Sequence, residues 1–94
     1  MKAASIQCEH LDFETGKFED GRRVVGVFSH YANGKIYKRK RNLVGFVYRY
    51  GKDFVFQPSG EFSLTYSTMC VLFGFMMRLR AGNIKFKEEG LELL

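Results

Sequence analysis

The apolar residues of this chain change period once, and that single change limits the folds open to it. Up to Pro58, short runs rich in β-branched and aromatic residues are interrupted at Thr15-Gly16, Asp20-Gly21, Asn33-Gly34 and Gly51-Lys52, which is the rhythm of antiparallel hairpins. From about Thr65, Met69, Leu72, Phe73, Met76 and Leu79 recur at three- and four-residue spacing, the period of an α-helix. Thr65 is placed to cap that helix, with Leu64 and Met69 at the two ends of a hydrophobic staple. Arg78 and Arg80 oppose the C-terminal dipole, and Gly82 suits the left-handed terminating position. The spacing predicts a helix over residues 65–81 and a short strand over 83–87 with Ile84 and Phe86 on one face. The expected class is therefore α+β: a curved antiparallel β-sheet of hairpins with one long helix packed on one face and a short returning strand. A length of 94 residues leaves room for one core, so residues 1–94 are expected to form one domain.

Asn-Gly tolerates positive φ at both central positions of a type I′ turn, so a hairpin is predicted to close at Asn33-Gly34. That loop pairs Ala32 with Lys35 and Tyr31 with Ile36, and, if the ladder continues, His30 with Tyr37 and Phe28 with Arg39. Ser5 to Phe13 reads as a first strand ending at Thr15-Gly16, and Arg22 to Tyr31 as a second. Residues 35–50 form either two strands separated near Asn42 or one long strand bent at Gly45, where a bulge is tolerated. Gly51-Lys52 turns the chain into a strand over residues 53–57 that Pro58 stops. The predicted core sets Val47, Phe54 and Phe56 against Met69, Leu72, Phe73, Met76 and Leu79. Val44, Phe46, Tyr48 and Val55 make the other sheet face apolar enough to compete.

Charge is spread unevenly. The net is +5, but residues 21–52 carry nine Lys or Arg and no Asp or Glu, a local positive field that attracts phosphates, acidic proteins or anionic surfaces. Tyr37 lies within the run Lys35-Ile-Tyr-Lys-Arg-Lys-Arg41, and Tyr31, Tyr48 and Tyr50 flank it. Cations neutralise phosphates while aromatic faces stack on unpaired bases. The candidate nucleic-acid or anion site is therefore Lys35, Tyr37, Lys38, Arg39, Lys40, Arg41, Tyr48 and Arg49, with nucleic acid or an acidic protein as partner. The competing explanation is an edge strand kept soluble by its cations.

Catalytic patterns are poorly matched. Gly45-Phe46-Val47 lies at the centre of an RNA-recognition-like motif whose flanking Gly and aromatics are missing, and Gly34-Lys35 lacks the Ser or Thr of a phosphate loop. Cys8, His10 and His30 fall short of a closed zinc shell. No local feature activates Cys8 or Cys70 as a nucleophile. The expectation is a non-catalytic module with no metal and no cofactor. Two cysteines are too few for a disulfide framework, no secretory signal pattern opens the sequence, and Met69–Met77 is too short an apolar run to span a bilayer, which takes ~20 residues. A cytoplasmic protein without membrane contact is expected.

The same run makes the helix apolar all round, whereas a helix on a sheet ordinarily has a polar back. Val71, Phe75 and Met77 fall off the predicted sheet-facing stripe and need cover from a partner subunit, a ligand or the chain's own termini. A homodimer through these three residues is the expectation.

Phe54-Val-Phe56-Gln-Pro58, followed by Ser-Leu-Thr and a hydrophobic helix, resembles the layout of small uncharacterised proteins from phages and integron gene cassettes. The likeness covers residues 43–82. It implies an origin in a bacterial mobile element and, since its motif holds no catalytic residue, no activity.

Overall fold

The computed structural model describes residues 2–3, 5–32, 35–36, 41–60, 64–87 and 90–93. Its strands begin with β1 (Lys2–Ala3), β2 (Ser5–Cys8), β3 (Leu11–Lys17) and β4 (Arg23–Ser29). They continue through β5 (Tyr31–Ala32), β6 (Lys35–Ile36), β7 (Asn42–Tyr50) and β8 (Asp53–Pro58) to the helix α1 (Tyr66–Ala81), followed by β9 (Ile84–Lys87) and β10 (Gly90–Leu93). The architecture is α+β. Five antiparallel strands form an open sheet in the order β2-β3-β4-β7-β8, β5 and β6 pair as a small ribbon, and β1-β10-β9 make a second sheet.

The first strand is shorter than predicted, because the chain reverses at Glu9-His10, where Glu9 takes φ 55°. The reason is parity. One continuous strand would send Ile6 and Cys8 to one face and Leu11 and Phe13 to the other. The two-residue reversal pairs Ile6 with Phe13 and Cys8 with Leu11, so all four share the helix side. Thr15-Gly16, expected to be a turn, instead runs through β3 opposite Val25 and Val24. The next reversal falls at residues 18–22, closed by hydrogen bonds from Gly21 N to Phe18 O and from Phe18 N to Arg22 O, both 2.9 Å.

Tyr31 pairs with Ile36 and Ala32 with Lys35, the register that an Asn33-Gly34 loop requires, although those two residues lie outside the described ones, as does Tyr37, the predicted partner of His30. The further pairing of Phe28 with Arg39 is not made. Phe28 faces Asp12 on one side and Leu43 on the other. Only His30 separates Ser29 from Tyr31, whereas five residues separate their partners Asn42 and Ile36. The uneven arms bring the apolar stretch from Leu43 onward against β4, where Val44 and Val47 are buried with Val25 and Val27. Pairing the basic run there would put cations into the same space. Residues 35–50 thus supply two separate strands, and β7 also bulges. Val27 pairs with Gly45 and Phe28 with Leu43, leaving Val44 over and turning it into the core instead of the far face. The β7–β8 turn falls at Gly51-Lys52 as predicted, with Tyr50 opposite Asp53 and Gly51 at φ 63°.

Helix α1 is 16 residues long. The Thr65 hydroxyl accepts the Thr68 N–H at 3.2 Å, and Gly82, at φ 84°, donates to Arg78 O and Leu79 O, so both predicted caps form. The buried stripe, however, is Thr68, Leu72, Phe75 and Leu79. Phe73, predicted to face the core, is 56% exposed, and Phe75, predicted to face a partner, is 4% exposed. Phe75 stacks on Phe13 with ring centroids 3.8 Å apart and planes within 9°. Val71 packs partly against the core, alongside Phe54, Phe56 and Met76. Ile84, Phe86 and Leu91, from the returning strands, complete the core. Part of the cover that the helix demanded therefore comes from the chain's own C-terminal strands.

Candidate functional site

Strand alternation gives the main sheet two unlike faces. Leu11, Phe13, Val25, Val27 and Val47 point toward α1. Among the described residues, the opposite face carries its own side chains and the turn at Phe18. Asp12 and Glu14 on β3, Phe28 on β4, Phe46 and Tyr48 on β7 and Val55 on β8 share it, as their cross-strand pairings require.

At one end of this face acids and bases close on each other. The imidazole Nε2 of His30 lies 2.8 Å from Asp12 Oδ2, Arg41 donates to Glu14 Oε2, and Arg41 Nη1 stands 3.8 Å from Asp12. The Arg41 guanidinium lies over the Phe28 ring, 4.1 Å from its centroid. That ring leans across Gly26, where a Cβ would come within 2.9 Å of it. The Glu14 hydrogen bond, helped by the charges of Glu14 and Asp12, holds the Arg41 guanidinium above its ordinary pKa despite some desolvation. Arg41 is therefore a permanent cation already engaged by carboxylates.

The other end is aromatic. Phe18 meets Phe46 edge-on at 5.0 Å and Tyr48 at 6.5 Å. The Arg22 guanidinium sits 5.0 Å from the Phe18 centroid and 5.1 Å from that of Tyr48, with Asp20 at 3.6 Å. Tyr50, on the same side as Tyr48, is 72% exposed.

Of the residues singled out from sequence, the structure brings Tyr48 and Arg41 onto this face, at opposite ends. Arg49 belongs to the other face, its guanidinium 5.4 Å from the Phe54 ring, so Tyr48 and Arg49 cannot serve one ligand together. Lys35 is placed by its backbone, opposite Ala32; Tyr37, Lys38, Arg39 and Lys40 lie outside the described residues. The sequence reading missed Phe18, Arg22 and Phe28 as members of this face. Phe46 was placed on the same face as Tyr48 by its parity but was not counted among the site residues. Phe18 and Arg22 reach it by folding of the β3–β4 turn, which leaves no periodic mark.

The predicted oligomer interface also changes. Phe75 belongs to the core, while Tyr66 at 78%, Phe73 at 56% and Met77 at 70% are exposed. With exposed Cys70 they follow four-, three- and four-residue steps along one side of α1. Beside them a groove of about 300 Å³ runs between α1 and the outer strand β2, floored by Ile6, Cys8, Val71 and Phe75. Cys8 ends β2 and His10 lies within the first reversal, its Nε2 2.8 Å from Thr68 Oγ1. Among the described residues no group of His, Cys, Asp and Glu is arranged to hold a metal ion, and no helix is long and apolar enough to cross a membrane. No protein-family model matches the chain, and neither a curated protein nor a solved structure does.

Proposed function

We propose that this chain is a non-catalytic binding module that receives single-stranded nucleic acid on the open face of its five-stranded sheet. The observation carrying the reading is the arrangement of Phe18, Phe46 and Tyr48 with the Arg22 guanidinium over two of the rings. Aromatic faces stack on bases of any sequence, and cations beside them neutralise the connecting phosphates. Residues 21–52 add an acid-free stretch with nine cations, which raises the local concentration of any polyanion. The carboxylates at the far end, Asp12 and Glu14, are engaged by His30 and Arg41, which tempers their repulsion toward phosphates.

Anisotropy of a labelled single-stranded oligonucleotide, titrated across a salt series, tests this. Affinity should fall with salt at a log–log slope of about −0.7 per neutralised phosphate. Tyr48→Ala should weaken binding roughly 5- to 150-fold, the equivalent of ~1–3 kcal/mol for one stacked base. Arg22→Ala should flatten the salt slope, whereas Arg80→Ala removes the same charge from the helix and should shift affinity by less than about twofold. Binding indifferent to salt, or unchanged by Tyr48→Ala, overturns the reading.

A second reading is favoured by a separate observation. The exposed line Tyr66, Cys70, Phe73 and Met77 has the alternating four- and three-step spacing with which two helices pack knobs into holes, and a second copy presents the same line. Sedimentation should then reveal a dimer that Phe73→Glu separates into folded monomers. A wild-type chain that stays monomeric at high micromolar concentration ends this reading.

A further inference from the structure

On the face opposite the aromatic platform, the main sheet meets β9 in a cleft whose chemistry is unlike that of the other described clefts. Thr15, Gly16, Lys17 and Arg23 come from the sheet and Phe86 and Lys87 from β9, enclosing about 180 Å³. Lys17 and Arg23 are direct cross-strand partners, so two cations stand side by side. The Arg23 guanidinium lies over Phe86, its Cζ 5.1 Å from the ring centroid. Its Nη1 is fully buried and meets no hydrogen-bond acceptor, the one such side-chain atom among the described residues.

Burying a charged donor without an acceptor is among the more costly things a fold can do, and proteins rarely tolerate it without purpose. A cation pair tightens the argument, since Lys17 and Arg23 repel each other and neither has a carboxylate partner among the described residues. Lys87 is held by Glu92 at 3.1 Å; it lends the cleft a neutralised wall more than a free charge. Glu88 and Glu89, between β9 and β10, lie outside the described residues.

We infer that this cleft binds the phosphoryl group of a small phosphomonoester, with Arg23 as the principal donor and Lys17 as the second cation. A guanidinium fixed by its ring contact presents a planar fork that suits a tetrahedral oxyanion. The volume is ample for a phosphoryl group, since a single water needs only ~10–15 Å³, yet falls short of the ~300 Å³ at which pockets for drug-sized ligands begin. A neighbouring cavity of about 340 Å³ shares Phe86 and Lys87 and is lined further by Leu79, Gly82 and Ile84, with Arg49 and Lys85 also lining it. Its more apolar wall receives the organic part of the ester. The site stands on the sheet face away from Tyr48 and is independent of the nucleic-acid reading.

Thermal unfolding of the full chain tests the inference, with inorganic phosphate and phenyl phosphate as probes against sodium chloride of matched ionic strength. Wild type should gain about 5 °C in about 10 mM phenyl phosphate, and isothermal titration should find phenyl phosphate bound about tenfold more tightly than inorganic phosphate. Arg23→Met keeps the contact with Phe86 while removing the charge. It should abolish the gain and, with no orphan donor left to bury, melt at or above wild type in phosphate-free buffer. Tyr48→Ala should keep the full response, so that loss of oligonucleotide binding and loss of the phosphate response are read separately. No gain in wild type, or an equal gain in Arg23→Met, overturns the site. Equal affinity for the two probes overturns its extension into the neighbouring cavity.

Discussion

Phe75→Ala is expected to destabilise the fold by about 3–5 kcal/mol, the ordinary cost of deleting a buried aromatic side chain. The ring is 4% exposed and lies flat on Phe13, so truncation loses that stacking as well as the buried area and leaves a cavity between helix and sheet. Against a typical domain stability of ~5–15 kcal/mol, such a loss removes much of the margin. Urea unfolding followed by far-ultraviolet circular dichroism would register it as a lowered midpoint with an unchanged slope. Phe73→Ala, two residues earlier and mostly exposed, should alter monomer stability by less than ~0.5 kcal/mol. A reversal, with Phe73 costly and Phe75 neutral, would mean that the helix presents to the sheet the stripe expected from its sequence.

The second large effect is expected at Gly45, where Gly45→Ala should cost about 2–3 kcal/mol through overpacking. A Cβ at this position would come within 2.4 Å of Gln57 O and 2.7 Å of the Phe56 ring. The oxygen belongs to the backbone of β8, which pairs with β7 through Gly45–Pro58 and Phe46–Gln57; it cannot withdraw without loosening that ladder. Gly74→Ala offers the contrast. Nothing lies within 4 Å of its added Cβ, and replacing a mid-helix glycine should stabilise by ~0.5–1 kcal/mol. Thermal melts of the two variants should move in opposite directions, at roughly 4–8 °C per kcal/mol for a chain of this size. A neutral Gly45→Ala would show that β7 and β8 separate more easily than their unbroken ladder implies.

Both predictions depend on tertiary facts that the residues nearest to them do not announce. α1 is apolar around most of its circumference between Met69 and Met77, so periodicity could place the helix without choosing its rotation. The choice is made by Phe13, 62 positions away from the ring it stacks on, and by Ile84, Phe86 and Leu91, which cover the flank. The bulge beside Gly45 has the same character. Gly45 marked where a bulge is tolerated, but the one-residue slip that moved Val44 from the open face to the core was decided by the burial it gains. Tyr48 was legible as an aromatic member of a basic region. That Arg22 would reach its ring, and that Arg41 would instead be engaged by Glu14, depended on strands brought together across the sheet.

What the sequence determined by itself is the set of features governed by a few adjacent residues: the turn at Gly51-Lys52, the Tyr31–Ile36 register, the Thr65 cap and Gly82 stop, and the shared face of Ile84 and Phe86. Each follows from the φ a residue tolerates, a hydroxyl three positions from the amide it accepts, or an alternation of period two. Only the tertiary structure decided the reversal at Glu9-His10, the uneven arms around His30, the rotation of α1 and the burial of Arg23 against Phe86. In these cases several local solutions are close in energy, and the contacts that separate them join residues far apart in the chain, so the selection is made when those surfaces meet and exclude water.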